Sequence, residues 1–183
     1  MSVQEKEPIS IITLLKGEKE FIPLIKENFN KFEYPQDKLE LVIVDDGKES
    51  LISEFLEDDR ILYLHLEDKE IQEFIEKIDF PNDKEGILKN YMSKTRRLPN
   101  GFKRDYGVGM STHDLFFHMD YDTSYNTSAI TRKLKFMKSQ KVDVNLHMYR
   151  SQSIQDVLLY CTHIEQVRNG ITTTRKTYFK YFD

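Results

Sequence analysis

Two acidic pairs are the residues of this sequence best suited to chemistry. Asp45-Asp46 and Asp120-Tyr121-Asp122 each directly follow an apolar run. Neighbouring carboxylates in a loop can bind a divalent cation and accept hydrogen bonds from a ribose at the same time. Hard cations such as Mg²⁺ and Mn²⁺ take oxygen ligands and complete their shell with substrate phosphates. Acidic residues are also common in ordinary loops, so the positions of the two pairs in the fold decide what they mean.

Alternating strands and helices must position these pairs. Apolar and β-branched runs predict strands over residues 9–15, 39–44, 61–66, 114–119 and 142–149. Helical spacing predicts helices over residues 18–32, 51–56, 70–78, 102–110 and about 128–138, and a strand at 157–160 and a helix at 176–182 follow. This order favours an α/β domain with a mostly parallel central sheet flanked by helices. Ligands bind such sheets at the carboxyl ends of the strands, where both acidic pairs fall.

Length and composition limit the classes of protein to consider. The chain has 183 residues and a mass of 21.8 kDa, so we expect a single domain over residues 1–183. Its one cysteine, Cys161, excludes a disulfide framework and a zinc site of the CxxC type. The net charge of −4 gives no global reason to expect nucleic-acid binding.

Charge is distributed unevenly along the chain. Residues 1–88 hold 11 Lys and Arg against 23 Asp and Glu, whereas residues 89–150 hold 12 against 5. The basic block is either a solvated face that pairs with the acidic half or a field for an anionic ligand such as a diphosphate. Charge alone does not choose between these interpretations.

The segments from the first predicted strand to the second acidic pair resemble, in sequence and in order, those of a known protein family. Residues 9–15, a helix, and residues 39–47 (LELVIVDDG) look like the opening of a family 2 glycosyltransferase with the GT-A fold. Residues 103–110 (KRDYGVGM) and 114–125 (DLFFHMDYDTSY) resemble its basic helix, central strand and DXD loop. The resemblance implies a Rossmann-like GT-A fold, with a nucleotide-sugar-binding half over residues 9–139. A short or truncated acceptor-side half would occupy residues 140–183.

The resemblance also implies a role for each matching residue in binding the nucleotide. Thr13 and Leu14 would line the base, and Asp46 would hydrogen-bond it. Lys103 and Arg104 would lie near the nucleotide or its phosphates. The family usually has threonine where this chain has Leu14, so a threonine side-chain contact is lost at that position.

The second acidic pair takes the metal in this interpretation. Asp120 would face the ribose or the metal, and Asp122 would bind Mn²⁺ or Mg²⁺, which bridges the donor diphosphate. The aromatic ring of Tyr121 would help to wall the sugar pocket. The implied activity is transfer of a sugar from a nucleotide-diphosphate sugar, by default a UDP-sugar, to a hydroxyl of a glycan or glycoprotein.

The base that activates the acceptor hydroxyl has no recognisable motif. Glu165, Asp183 and Asp156 are the candidates. Residues 172–183 resemble the acceptor-side segment of divergent members encoded by large DNA viruses.

No apolar run reaches about 18 residues and the N-terminus is acidic and polar, so we expect no membrane span and no signal peptide. The expected location is the cytoplasm, or the host cytoplasm for a viral protein.

Two other functions stay open at this point. The missing base would suit a non-catalytic nucleotide-sugar-binding domain, or a fragment of a longer glycosyltransferase. Apolar residues followed by Asp-Tyr-Asp-Thr at 120–123 also resemble the nucleophile loop of haloacid-dehalogenase-type phosphohydrolases. That loop usually lies near the N-terminus, whereas here it is late in the chain. The oligomeric state is left open.

Overall fold

The structure is a computed structural model that describes residues 6–77, 86–96, 98, 100–139 and 147–148. The elements expected at residues 157–160 and 176–182 lie outside this part. So do the three candidate bases Asp156, Glu165 and Asp183.

Among the described residues, a parallel sheet of five strands forms the centre of the fold. The strands are β1 (Ile9–Leu15), β2 (Leu39–Asp45), β3 (Ile61–His65), β4 (Leu115–His118) and β5 (His147–Met148). Their spatial order is β3-β2-β1-β4-β5, and all four pairings are parallel. The chain therefore extends the sheet first on one side of β1 and then on the other. Such a reversal opens a crevice at the carboxyl ends of the two strands where it occurs, here β1 and β4.

Within the part of the chain that the structure describes, five α-helices connect the strands. They are α1 (Ile22–Lys31), α2 (Asp68–Lys77), α3 (Ile87–Thr95), α4 (Asn100–Met110) and α5 (Ala129–Ser139). Short 3₁₀ turns occupy Lys19–Phe21, Gln36–Lys38 and Ile52–Glu54. The predicted helix over 51–56 is thus only the third of these turns. Helix α3 was not predicted, although apolar residues recur at helical spacing in its sequence, ILKNYMSKT. None of the described helices exceeds 11 residues, so none has the length or apolarity to cross a membrane.

The sheet is buried on both faces, as parallel sheets generally are. Ile11 and Leu15 of β1 pack on one face against a core that includes Phe29 of α1. Ile12 packs on the other face, in the layer beneath α4. A Cβ on Gly107 of α4 would lie 2.9 Å from Ile12 Cγ2, so the glycine lets α4 approach the sheet closely. Helix α4 is thereby held against the strands beside the crevice.

Candidate active site at the carboxyl edge of the sheet

An open cleft of about 390 Å³ lies where β1 and β4 end. Leu14 and Lys16 line it from the end of β1, and Arg104 lines it from α4. Residues 118–123 contribute the end of β4 and the loop that follows. The cleft therefore brings two basic side chains together with Asp120 and Asp122. This mixture suits a ligand that carries both phosphates and a metal ion.

The loop after β4 begins with one more backbone hydrogen bond of the sheet before it enters the cleft. The Met119 N–H donates to the Ile12 carbonyl at 2.9 Å, which extends the pairing of β1 and β4 by one residue. The ring of Tyr121 packs edge-on against Phe21, with centroids 5.1 Å apart. Burial raises the pKa of Tyr121, and the carboxylates of Glu18 and Asp122 add to the rise. Tyr121 is therefore a protonated wall of the cleft at neutral pH, with its ring packed against Phe21.

Asp120 and Asp122 are the carboxylates of the cleft, and they suit a divalent metal. Both line the same space, one half-buried and the other exposed. Within the described residues no group of three or more His, Cys, Asp or Glu side chains could hold a metal. Mg²⁺ is typically bound by one or two carboxylates, with waters and substrate phosphates completing its shell. The donor set therefore fits Mg²⁺ or Mn²⁺ bound together with a phosphorylated ligand.

Asp46 and Lys103 form an ion pair beneath the cleft. The Lys103 Nζ lies 2.9 Å from Asp46 Oδ1, and the two side chains are 0% and 1% exposed. Lys103 also donates to the Leu15 carbonyl at 3.3 Å, and the Leu98 N–H donates to Asp46 Oδ2 at 3.2 Å. Burial lowers the pKa of Lys103, and the Asp46 carboxylate opposes that shift. The pair thus ties α4 to the ends of β1 and β2.

The structure divides the expected nucleotide-binding residues into two groups. Five line the cleft: Leu14, Arg104, Asp120, Tyr121 and Asp122. Three are buried in the interior: Thr13, Asp46 and Lys103. Thr13 is fully buried because side chains alternate along a strand and Leu14 takes the cleft side. The roles of these eight residues in binding a nucleotide or, for Asp120 and Asp122, a metal stay predictions.

Asp45, the other half of the first acidic pair, organises the backbone beside the cleft. Its Oδ1 accepts the N–H groups of Gly17 and Gly47 at 2.9 and 2.8 Å, and its Oδ2 accepts the Tyr63 hydroxyl at 2.6 Å. Burial, followed by this carboxylate, raises the pKa of Tyr63. A Cβ on Gly47 would lie 2.6 Å from Gly17 Cα, so the two loops cross in close contact. Asp45 is therefore fully engaged in joining the loops after β1 and β2.

Arg96 supports the same edge of the sheet and was not singled out by its sequence. It ends α3 in the left-handed conformation, with φ of 57°. Its guanidinium donates to the Asp46 carbonyl at 3.2 Å and forms an ion pair with Asp68. Together with Lys103, Arg96 shows the basic block pairing with the acidic half of the chain, whereas Arg104 faces the cleft. The structure thus supports pairing with the acidic half for Lys103 and Arg96, and the field for an anionic ligand stays a prediction.

Two cleft residues were also missed. Lys16 is the first residue after β1, a position that the rule for carboxyl ends of strands would have marked. His118, the last residue of β4, is buried at 4% exposure and also borders the cleft.

Comparison with solved structures supports the fold. A mannosyltransferase from Pyrobaculum calidifontis, in complex with GDP-Man and Mn²⁺, aligns over 73% of this chain with a TM-score of 0.51 and 15% identity. Staphylococcus aureus TarS 1–349 aligns over 74% of this chain, at TM-scores of 0.49 alone and 0.47 with UDP-GlcNAc, and 14% identity. The chain spans about a third of the length of these structures. No family model and no curated protein matches the sequence. The expected GT-A-type α/β fold is confirmed.

Proposed function

We propose that this chain binds a nucleotide-diphosphate sugar and transfers its sugar to a hydroxyl group of a glycan or glycoprotein, with Mn²⁺ or Mg²⁺ as cofactor. One observation carries the proposal. Asp120 and Asp122 share a cleft with Lys16 and Arg104 at the carboxyl ends of β1 and β4. The mannosyltransferase with the same fold is in complex with a nucleotide sugar and Mn²⁺. We take UDP as the first nucleotide to test, with GDP as the second.

Six of the cleft residues have a definite part in this proposal. Asp122 and Asp120 would hold the metal, which when bound neutralises charge on the leaving nucleoside diphosphate. Lys16 and Arg104 supply positive charge for the phosphates. Leu14 and Tyr121 offer apolar and aromatic walls for the base or sugar.

The reaction exchanges one bond to the anomeric carbon of the sugar for another. A hydroxyl oxygen of the acceptor attacks that carbon and forms the new glycosidic bond. The bond from the carbon to the diphosphate oxygen breaks, and the nucleoside diphosphate leaves with the electron pair. The acceptor hydroxyl gives its proton to a base, for which Asp156, Glu165 and Asp183 remain our candidates.

A thermal-shift assay tests the proposal directly. The Tm of the protein is measured in the presence of UDP, GDP, UDP-GlcNAc or GDP-Man, each with and without Mn²⁺. At 100 times the Kd, a ligand stabilises the native state by about 2.7 kcal/mol, which raises the Tm of a domain of this size by about 5–10 °C. We expect a shift of this size with one nucleotide, dependent on Mn²⁺.

Asp122→Ala should abolish that shift, because it removes a metal ligand. Asp37→Ala is the matched control, since Asp37 is an exposed aspartate in the turn before β2, at the opposite edge of the sheet. An undiminished Mn²⁺-dependent shift in Asp122→Ala would refute the metal assignment.

Turnover separates the proposed function from its alternatives. Release of UDP or GDP from the sugar nucleotide that binds, in the presence of acceptor glycans, would support transfer. Binding without any turnover favours a non-catalytic binding domain or a fragment. Absence of a shift with every nucleotide, together with hydrolysis of phosphate esters, favours the phosphohydrolase.

A further inference from the structure

A buried amide and a buried hydroxyl fasten the loop that carries Asp120 and Asp122. Asn28 of α1 is fully buried; its Nδ2 donates to the Thr123 carbonyl at 2.8 Å, and its Oδ1 accepts the Tyr125 N–H at 3.0 Å. The Tyr125 hydroxyl accepts the Asp120 N–H at 2.9 Å. The loop is thus closed on itself through Tyr125 and bound to α1 through Asn28.

Packing fixes both groups. The ring of Tyr125 is 8% exposed and packs edge-on against Phe117 and Phe32, with centroid distances of 5.6 and 6.3 Å. The hydroxyl therefore reaches the Asp120 N–H from a side chain that has little freedom to move. The side-chain oxygen and nitrogen of Asn28 are both engaged with the loop backbone. Neither Asn28 nor Tyr125 lines the cleft.

The end of α1 adds further bonds to the same segment. The Glu33 N–H donates to the Thr127 carbonyl at 2.8 Å, and the Thr127 hydroxyl donates to Glu33 Oε1 at 2.6 Å. The loop therefore packs against α1 and against Glu33, two residues after the end of that helix. These added bonds lie farther along the loop, whereas Tyr125 bonds the backbone of Asp120 itself and Asn28 bonds the backbone directly after Asp122.

We propose that Asn28 and Tyr125 are positioning residues, which hold Asp120 and Asp122 in their metal-binding arrangement before the donor arrives. The inference rests on the proposed function. A site whose ligands are held in place by supporting hydrogen bonds loses less conformational freedom on binding. Loosening the loop should therefore weaken binding of the metal with its nucleotide, without altering any group that touches the ligand.

Tyr125→Phe tests the inference, because it removes the hydroxyl and keeps the buried ring. Tyr34→Phe is the matched control. Tyr34 is 6% exposed and belongs to the same core, and its hydroxyl donates to the Glu7 carbonyl at 2.6 Å, ahead of β1 at the opposite edge of the sheet. Each variant removes one buried tyrosine hydroxyl that bonds to the backbone.

Two measurements are compared across wild type, Tyr125→Phe and Tyr34→Phe. The first is hydrogen exchange at the Asp120 amide in ligand-free protein, and the second is calorimetric titration with Mn²⁺ and UDP or GDP. In Tyr125→Phe we expect exchange at Asp120 to rise about tenfold and the Kd for Mn²⁺ with nucleotide to rise about fivefold, as for the loss of one hydrogen bond. Tyr34→Phe should change neither, whatever its Tm. Asn28→Ala removes two of the fastening bonds and should weaken binding at least as much.

The outcomes separate the inference from the proposed function. Unchanged Asp120 exchange and unchanged affinity in Tyr125→Phe would overturn the positioning role and leave the proposed function intact. Equal weakening in Tyr125→Phe and Tyr34→Phe would also overturn it, since the effect would then be general loss of stability. Wild-type protein that binds neither UDP nor GDP with Mn²⁺ would overturn both.

Discussion

Replacing Lys103 with methionine should destabilise this protein strongly, because it leaves the Asp46 carboxylate buried without its cation. The two side chains are 0% and 1% exposed, so water cannot take the place of the lysine. Removing one partner of a buried pair typically costs about 3–5 kcal/mol. Asp46 keeps the Leu98 N–H at 3.2 Å, which places the expected loss near the lower end, about 3 kcal/mol. For a domain of this size the Tm should fall by about 6–12 °C.

The assay is thermal and urea unfolding followed by circular dichroism, with an exposed ion pair as reference. Lys19 and Glu54 are 2.6 Å apart, closer than the buried pair, but the lysine side chain is 69% exposed. Lys19→Met should leave the Tm nearly unchanged, because exposed pairs contribute little. The double variant Asp46→Asn, Lys103→Met should recover part of the loss, since no buried charge remains. Equal effects of Lys103→Met and Lys19→Met would refute the argument from burial.

The same variant makes a prediction about pH. Burial lowers the pKa of Lys103 below its ordinary value of 10.5. Between the lowered pKa and 10.5 the unfolded chain holds a proton that the native state has lost, so the native state gains stability as pH rises through that window. The free energy of unfolding of wild type, relative to Lys103→Met, should therefore increase with pH there. A relative stability that falls with pH in that window would mean that Asp46 outweighs burial.

Further predictions concern two glycines, each tested by urea unfolding. Gly47→Ala should destabilise the protein more than Gly86→Ala, because a Cβ at residue 47 meets the Gly17 backbone at 2.6 Å. At residue 86 a Cβ meets nothing within 4 Å, so alanine there carries only the modest cost of the left-handed φ of 67°. Equal losses would contradict the close crossing of the two loops. Gly107→Ala should also lower the free energy of unfolding, although alanine favours a helix by about 1 kcal/mol, because its Cβ would lie 2.9 Å from Ile12 Cγ2. A more stable Gly107→Ala protein would show that α4 moves aside without cost.

The central strands could be predicted from sequence because each is a strong local pattern, and α4 could be predicted from the turn signal that precedes it. The run over residues 9–15 and the helical segment before Met110 need no distant information to be recognised. The edge of the sheet that carries the cleft could also be predicted, because alternating strands and helices bring the carboxyl ends of the parallel strands to one edge. Asp120 and Asp122 were found in this way, and both line the cleft.

The interior partners of the site could not be predicted, because they are set by tertiary contacts between distant residues. Lys103 and Asp46 are 57 positions apart, and nothing in a lysine's residue type indicates that its ammonium will be fully buried. Asn28 and Thr123 are 95 positions apart. A lone asparagine on the face of a helix carries no signal until the loop it bonds is in place.

The position of β1 in the middle of the sheet has a consequence for synthesis of the chain. One edge of β1 is covered as soon as β2 has been made, but its other edge pairs with β4, more than a hundred residues later. At about 5–20 residues per second, the ribosome leaves that apolar strand edge open for roughly 5–20 s. An open apolar edge is a template for pairing with other chains. Nascent chains of this protein therefore depend on arrival of the Leu115–His118 strand both to complete the cleft and to escape aggregation.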